Sequence, residues 1–464
     1  MTPSKNITYS RPFIVAILLA TAFVTVLNQT LLIVAIPPIM SEFNINANLA
    51  QWVTTVYLLT NGILIPVSAF LIEKFSVKKL LITAMAIFTM GTVIGAIAPT
   101  FPILLIGRIV QAAGAGIIMP LMQTLILLMY PVKQRGQAMG LVGLVISFAP
   151  AIGPTLSGFL IDHFHWRYLF YTIIPIALIV LIITSFVMKN ILEQQKMEID
   201  YPSIIYSTLG WGGLLYGFSL LGTYGINDSQ VIIAILIGIV SLTIFIKRQL
   251  RLDEPILEFR VFRSYIFTIT TILTVFLFAI LIASQTILPI FIQRVLGFSA
   301  LESGLVLLPG AIIMGIMSPI VGRIFDKHGG KVLAIIGFLL AVVGASYFVL
   351  LDINSSLILI TIFFTLLSAG LSLVMMPMPT AGINDLPPKW IAHGTAMNNA
   401  IRMVGGSIIT GLLVSVMSGI TLLSTESNPQ LALLEGINVA FIGIIVMAIL
   451  GFILAFQLSS KKKT

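Results

Sequence analysis

The sequence predicts an all-α membrane protein with fourteen transmembrane helices. The first observation is composition: the 464-residue chain is 58% hydrophobic and 9% charged, with a mean hydropathy of +1.10. A soluble domain carries roughly 25% charged residues. The second is that apolar segments recur fourteen times, each about the 20 residues that cross a bilayer. The third is that Lys and Arg are concentrated in alternate connections, which is typical of membrane topology.

The fourteen apolar segments are joined by short connections, which leave no length for a soluble domain. No small-residue cleavage site follows the first of them, so we expect it to be a retained span rather than a signal peptide. The predicted spans 1–14 are 12–36, 49–71, 79–99, 102–128, 136–161, 167–189, 200–223, 229–249, 265–292, 300–322, 331–351, 356–379, 395–418 and 436–458.

The basic residues predict that both termini lie in the cytoplasm. With that orientation, all but four of the 25 Lys and Arg residues fall in cytoplasmic positions. Arg167 and Arg294 fall outside, and Arg108 and Arg402 fall within spans. Because cytoplasmic loops retain an excess of Lys and Arg, we interpret the net charge of +9 as a topology signal. It does not indicate nucleic-acid binding, and we predict a multi-pass protein of a plasma membrane.

A short motif that occurs twice predicts two similar halves. Residues 69–79, with Glu73 followed by a lysine, come after span 2, and residues 322–331, with Asp326 followed by a lysine, come after span 10. The copies are eight spans apart, so we predict two six-helix bundles plus two inserted helices. Parallel halves around a central site are typical of rocking carriers. The predicted domains are 1–190, 191–263 for the inserted helices and linkers, and 264–464.

Span 5 is unusually rich in small residues and proline. The stretch Gly140–Gly158 contains four glycines, two serines, and the prolines Pro150 and Pro154. Small residues let membrane helices approach closely, and proline provides a bend. We therefore predict a kinkable, closely packed helix, and we assign Gly153 and Pro154 to gating. A purely structural kinked helix is the alternative.

With these motifs the chain resembles the major facilitator superfamily, and specifically its fourteen-helix drug:proton antiporter branch. The loop motifs, although degraded in the first copy, and the span 5 signature match family patterns in order. Further matches are Arg108-x-x-Gln111-x-x-Gly114 in span 4, Trp166-Arg167-Tyr168, Gln293 to Gly297, Gly304 with Pro309, and His393-Gly394-Thr395-Ala396.

This resemblance implies the major facilitator fold and a multidrug efflux transporter that works by proton antiport and alternating access. It implies that the chain is not an enzyme and uses no cofactor, with the proton gradient as energy source. The implied partners are small amphipathic substrates and the lipid bilayer, without nucleic acid, and the chain is expected to be a monomer. One departure concerns span 1, where Leu27-Asn28-Gln29-Thr30 replaces the family's Leu-Asp-x-Thr, so this position cannot titrate.

Charged residues inside a membrane are costly and usually functional. Arg108 is predicted to shape the proton or substrate path, or else to tie helices together through backbone carbonyls or Gln111. Arg402 has either a functional role or snorkels to the cytoplasmic end. None of the sixteen acidic residues sits securely at the midplane. Asp162 and Glu302 are possible substitutes for the missing acid, but surface roles are the alternative, including a pair between Asp162 and Arg167.

The remaining candidates form a gate and a cavity. Glu73 and Asp326, with Lys74 and Lys327, are predicted to hold the cytoplasmic side closed by pairing with a base or with the end of a neighbouring helix; topology alone is the alternative. Polar residues and methionines within spans are predicted to line the substrate cavity. These are Thr25, Asn28, Gln29, Tyr57, Asn61, Gln285, Met375, Met376 and Asn398.

Other functions remain open from the sequence. An exporter or uniporter of an endogenous metabolite or lipid-like compound is the main alternative, and a channel or membrane enzyme is the least favoured. The chain has no cysteine, and it shows no filter-like repeat, zinc motif or phosphate-binding glycine loop. No metal site is expected.

Overall fold

The computed structural model describes residues 11–32, 34–45, 47–188, 190, 200–225 and 228–458. Within these ranges the chain forms helices and no strand. Fourteen of the helices are long and apolar enough to cross a membrane, which confirms the predicted number of spans. We number these helices α1–α14.

The first six spanning helices and the two that follow begin and end close to the predicted bounds. They are α1 Arg11–Leu31, α2 Trp52–Lys74, α3 Val77–Ala96, α4 Phe101–Met129, α5 Arg135–His163, α6 Tyr168–Val187, α7 Tyr201–Tyr224 and α8 Ser229–Gln249. The last six are α9 Tyr265–Ile290, α10 Ala300–His328, α11 Lys331–Ser346, α12 Leu357–Met375, α13 Ile391–Leu423 and α14 Pro429–Ala455.

Some predicted bounds lie several residues from those in the structure, and at α13 and α14 the reason is the same. Helix α1 ends at Leu31, and a separate short helix, Ile36–Phe43, follows it. Helix α13 begins at Ile391 and α14 at Pro429, several residues before the predicted starts. Hydropathy excluded these polar first turns, but backbone hydrogen bonding and capping extend the helices into them. At α14, for example, the side chain of Asn428 accepts a hydrogen bond from the Gln430 N–H.

The helices pack in two groups. Helix α1 packs on α4, α5 and α6, and α4 packs on α2 and α3; α9 packs on α13 and α14, and α12 on α10 and α11. The main contacts between the groups join α5 to α10 and α13 to both α2 and α4. The inserted helix α7 packs on α8, α2 and α13, so it lies beside the line where the two groups meet.

Small residues bring α5 and α10 into direct backbone contact. A Cβ added to Gly322 would lie 2.2 Å from the carbonyl oxygen of Gly136, and one added to Gly140 would lie 2.6 Å from that of Ser318. Such contacts are possible only between residues with little or no side chain. The predicted close packing of span 5 is therefore confirmed, and its partner is α10. Helix α5 continues through both of its prolines to His163.

Candidate functional site: substrate path and gate

Arg108 forms the centre of a buried polar network. It lies about two turns, or roughly 10 Å, from the start of α4, and its side chain has 0% exposure. Its Nε donates to the carbonyl oxygen of Val53 at 3.0 Å, and a terminal nitrogen donates to Oε1 of Gln111 at 2.9 Å. The guanidinium carbon lies 4.1 Å from the centre of the Tyr57 ring. Arg108 therefore ties α2 to α4, and its charge faces an aromatic ring.

The network continues to α1 and α3 through Gln111. Its Nε2 donates to Oγ1 of Thr92 at 2.9 Å and lies 3.4 Å from Oδ1 of Asn28. The Tyr57 hydroxyl donates to the Thr25 carbonyl oxygen at 3.2 Å. Three of the predicted cavity residues, Thr25, Asn28 and Tyr57, are thus buried in this network. The other two on these helices, Gln29 and Asn61, are partly exposed.

Arg402 occupies the corresponding central region of the second group. A terminal nitrogen donates to Oδ1 of Asn399 at 3.0 Å, and the guanidinium carbon lies 5.1 Å from the centre of the Phe278 ring on α9. Nδ2 of Asn399 in turn donates to Oε1 of Gln123 on α4 at 2.6 Å. Asn398 is also buried, and its Nδ2 donates to Oγ1 of Thr271 at 3.3 Å.

Asp326 joins α10 to the start of α5, and we call this contact a clamp. Its two carboxylate oxygens accept hydrogen bonds from the backbone N–H groups of Gly136 and Gln137, each at 2.8 Å. The first N–H groups of a helix have no partner within the helix, and the helix dipole favours a negative charge there. Next to this clamp, Arg135 donates to Oδ1 of Asn384 at 2.8 Å. The predicted contact between an acid and the end of a neighbouring helix is therefore present.

Glu73 forms a second clamp, between α2 and α13. Its Oε1 lies 3.2 Å from Nε2 of His393, and both side chains are 6% exposed. The other ring nitrogen, Nδ1, accepts a hydrogen bond from the Glu258 N–H at 3.3 Å. The two acids of the repeated loop motif thus both hold one helix group against the other.

Both clamps lie at the end of the molecule that is predicted to be cytoplasmic. They are connected through the segment that carries Asn384 and His393, which contacts Arg135 on one side and Glu73 on the other. Farther along α5, the contacts lead back to α1: the Ser157 hydroxyl donates to the Leu31 carbonyl oxygen at 2.7 Å. The structure is therefore closed between the groups at the predicted cytoplasmic end.

Several predicted site residues lie apart from these clusters. Glu302 is in the first turn of α10, where it forms a capping box with Ser299. Gln285 and Lys327 are exposed, and the Lys74 ammonium lies 5.3 Å from the centre of the Phe70 ring. The acids that precede these lysines, Glu73 and Asp326, bind the opposite helix group. The side chains of Asp162 and Pro154 lie outside the described residues.

Gly153, Met375 and Met376 have packing positions. A Cβ added to Gly153 would lie 2.1 Å from the Thr30 hydroxyl oxygen, so α1 and α5 approach closely there. Both methionines are almost fully buried. Met376 packs against Gly143 of α5, so it contributes to the contact between the groups rather than to an open surface.

Arg167 has a partner on the short helix Ile36–Phe43. It forms a salt bridge with Glu42, whose carboxylate also contacts the rings of His165 and Trp166. Burial raises the pKa of Glu42, but the hydrogen bonds from Arg167 and Trp166 and the nearby positive charges outweigh this, so the pKa lies below its usual value. This cluster joins the short helix Ile36–Phe43 to the start of α6.

Sequence reasoning missed Gln123 and Asn399 and noted His393 only as part of a motif. All three are buried, and Gln123 and Asn399 lie within predicted spans, whereas His393 precedes span 13. The rule that polar residues in a span face protein or a cavity would have selected Gln123 and Asn399. Their partners lie on distant helices, so the pairing itself required the structure.

Comparison with known proteins identifies the family. Residues 18–410 match the family model described as Major Facilitator Superfamily. This chain belongs to the major facilitator superfamily. The uncharacterized MFS-type transporter YcnB of Bacillus subtilis is 56% identical over 455 residues, which cover 98% of this chain and 96% of YcnB. The lincomycin resistance protein LmrB of Bacillus subtilis is 40% identical, over 97% of this chain and 96% of LmrB.

The fold is shared with solved structures of this superfamily. The human organic anion transporter MFSD10 (TETRAN) superposes with a TM-score of 0.69, covering 97% of this chain and 100% of that chain. At 13% sequence identity, this likeness shows the major facilitator fold alone. The predicted family and fold class are confirmed, and the chain is a multi-pass membrane transporter.

Proposed function

We propose that this major facilitator protein is a secondary active efflux transporter that exports amphipathic drugs by proton antiport and alternating access. The observation that carries the proposal is that both acids of the repeated loop motif hold the two helix groups together at one end. Asp326 binds the start of α5, and Glu73 binds His393 on α13. The similarity of this chain to the lincomycin resistance protein LmrB supports drug export.

The contacts suggest how the two groups move. Each clamp consists of a few hydrogen bonds, so it can open as a unit, and the small-residue faces of α5 and α10 let the two helices slide and tilt. We propose that residues 1–190 and 264–464 rock against each other, while residues 191–263 supply helices at the seam. With both termini in the cytoplasm of a bacterial cell, the end that is closed in this state is the cytoplasmic one.

The pair Glu73–His393 is the coupling site that we propose. Histidine is the side chain that ordinarily changes charge between pH 5 and 8. A proton added at Nδ1 would face the Glu258 N–H, which now donates to that atom. Two donors would then oppose each other at Nδ1, whereas the charged ring would bind the Glu73 carboxylate more strongly at Nε2. Proton exchange at His393 would therefore change the strength of the contact that closes the cytoplasmic end.

The charged groups around this pair already have partners. The Glu258 carboxylate pairs with Arg260 at 3.3 Å, and Asp200 at the start of α7 pairs with Arg248 at 2.8 Å. The hydrogen bonds from Arg248 hold the pKa of Asp200 below its usual value. Lys74 lies over an aromatic ring.

Dye transport into inverted membrane vesicles tests the proposal. An inside-acid pH gradient should drive saturable uptake of rhodamine 6G, and a protonophore should abolish it. Uptake that persists with the protonophore would indicate uniport instead. Asp326→Asn should strongly reduce transport because it weakens the clamp, whereas Asp253→Asn, at an exposed carboxylate, should not. His393→Gln should remove the pH dependence between pH 5 and 8; a retained profile would exclude His393 as the coupling site.

A further inference from the structure

Arg402 lies deep within its helix. It is the twelfth of the 33 residues of α13, about three turns, or roughly 16 Å, from the start of this helix. Its guanidinium donates to Asn399, one turn nearer that start, and Asn399 is buried. The charge of Arg402 is therefore held by a buried side chain inside the protein.

A single side chain connects Arg402 to the first helix group. Phe278 belongs to α9, and Asn399 connects Arg402 to Gln123 of α4. The Arg402 side chain is partly exposed. Arg108 is different, because it has 0% exposure and is enclosed by a carbonyl, an amide and a ring. Of these two arginines, Arg402 is the one that a substrate between the groups can contact.

The charge of Arg402 has no carboxylate partner among the described side chains. Its neighbours Asn399 and Phe278 are uncharged, and its Nε is buried without a hydrogen-bond partner in the described part of the chain. Glu73 and Asp326 bind other groups, at the predicted cytoplasmic end. A guanidinium keeps its charge at all physiological pH values. In a medium of low dielectric constant, such a charge attracts anions and repels cations strongly.

We propose that Arg402 binds the anionic group of the exported compound, so that the substrates include amphipaths that carry a carboxylate. The planar guanidinium offers its Nε and terminal N–H groups, which match the two oxygens of a carboxylate. Phe278 offers an apolar surface beside it. This inference rests on the proposed function and narrows its substrate class.

The test compares two xanthene dyes of similar size and opposite charge, carboxyfluorescein and rhodamine 6G, in inverted vesicles with the full chain. Wild type should take up both. In Arg402→Gln, the KM for carboxyfluorescein should rise about tenfold, the loss expected for a hydrogen bond to a charged group. The KM for rhodamine 6G should fall, because a repelling charge is removed. The KM values of Arg402→Lys should lie between those of wild type and Arg402→Gln. The control Arg251→Gln, at an exposed arginine, should change neither KM.

A binding measurement distinguishes a loss of affinity from a failure of the variant to fold. Fluorescence polarisation of carboxyfluorescein with the purified protein in detergent should show about tenfold weaker binding to Arg402→Gln than to wild type, while the variant still elutes as a single species. The inference would be overturned if Arg402→Gln changed the KM for both dyes equally, or if wild type took up rhodamine 6G but not carboxyfluorescein. Either result would still be consistent with drug export. Wild-type vesicles that transport neither dye would contradict the proposed function as well.

Discussion

The amide of Asn399 on α13 donates to the amide oxygen of Gln123 on α4 across 2.6 Å, and both side chains are buried. This bond crosses from one helix group to the other within the apolar part of the protein. It also connects Arg402, which donates to the same asparagine, to the first group. The hydrogen bonding of Arg402 therefore depends on whether the two helix groups are in contact.

We expect Asn399→Leu to weaken the closed arrangement. The change removes the acceptor for Arg402 and the donor for Gln123, and interhelical hydrogen bonds in membranes contribute about 0.6 kcal/mol, at most about 1.7. Thermal unfolding in detergent should show a lower Tm together with reduced rhodamine 6G uptake. Asn354→Leu, at an exposed loop position, is the control. An unchanged Tm and rate for Asn399→Leu would show that the bond is dispensable.

Gly322→Ala should separate α5 from α10. The new methyl group would lie 2.2 Å from the Gly136 carbonyl oxygen, which is backbone and cannot rotate away. Overpacking of this kind costs about 1–3 kcal/mol, and here it acts against the state closed at the predicted cytoplasmic end. The matched variant Gly304→Ala lies on the same helix with nothing within 4 Å of the added Cβ.

The two glycine variants are distinguished by accessibility. Cysteines introduced near the α5–α10 contact can be labelled without background, because the native chain has none. Gly322→Ala should increase labelling from the cytoplasmic side and reduce transport, and Gly304→Ala should do neither. Equal labelling of the two variants would mean that the contact does not form the closure.

Arg108→Ala should abolish transport. It leaves the Val53 carbonyl oxygen and Gln111 without a donor and removes the charge over the Tyr57 ring. Arg108→Lys should be almost as inactive, because a lysine cannot reproduce the fork of donors. Uptake of rhodamine 6G measures the effect, and Arg294→Ala, at an exposed arginine, is the control. Normal uptake by Arg108→Ala would show that transport does not require Arg108.

Glu42 should stabilise the protein in a pH-dependent way. Since its pKa lies below the usual 4.5 in the folded protein, its stabilising contribution is present above that value and is lost as the pH falls through the folded pKa. His165, Trp166 and Arg167 are the groups that face it. The Tm difference between wild type and Glu42→Gln should be largest near neutral pH and should shrink below pH 4.5.

The control for Glu42 is Glu426→Gln, which changes an exposed glutamate in another loop. Its Tm should match that of wild type throughout the same pH range. A Tm difference for Glu42→Gln that stays constant down to acid pH would show that charge pairing is not what stabilises this cluster.

Local composition determined much of this protein. The number of spans, the close packing of span 5 and the positions of the repeated loop acids follow from residues near each other in the chain. Hydropathy and side-chain size act over one helix, so the sequence alone displays them. The absence of a titratable group at Asn28 is likewise a fact of the sequence.

Only the tertiary structure decided which groups meet. Asp326 binds the start of α5, Glu73 binds His393, and Arg167 binds Glu42. The depth of Arg402 also depended on where α13 begins. For the three acids, the partner is supplied by another part of the fold. For Arg402, the deciding feature is the first residue of α13, which hydropathy does not set. A buried charge is satisfied by whichever polar group the packing brings within about 3 Å, and local sequence does not contain that distance.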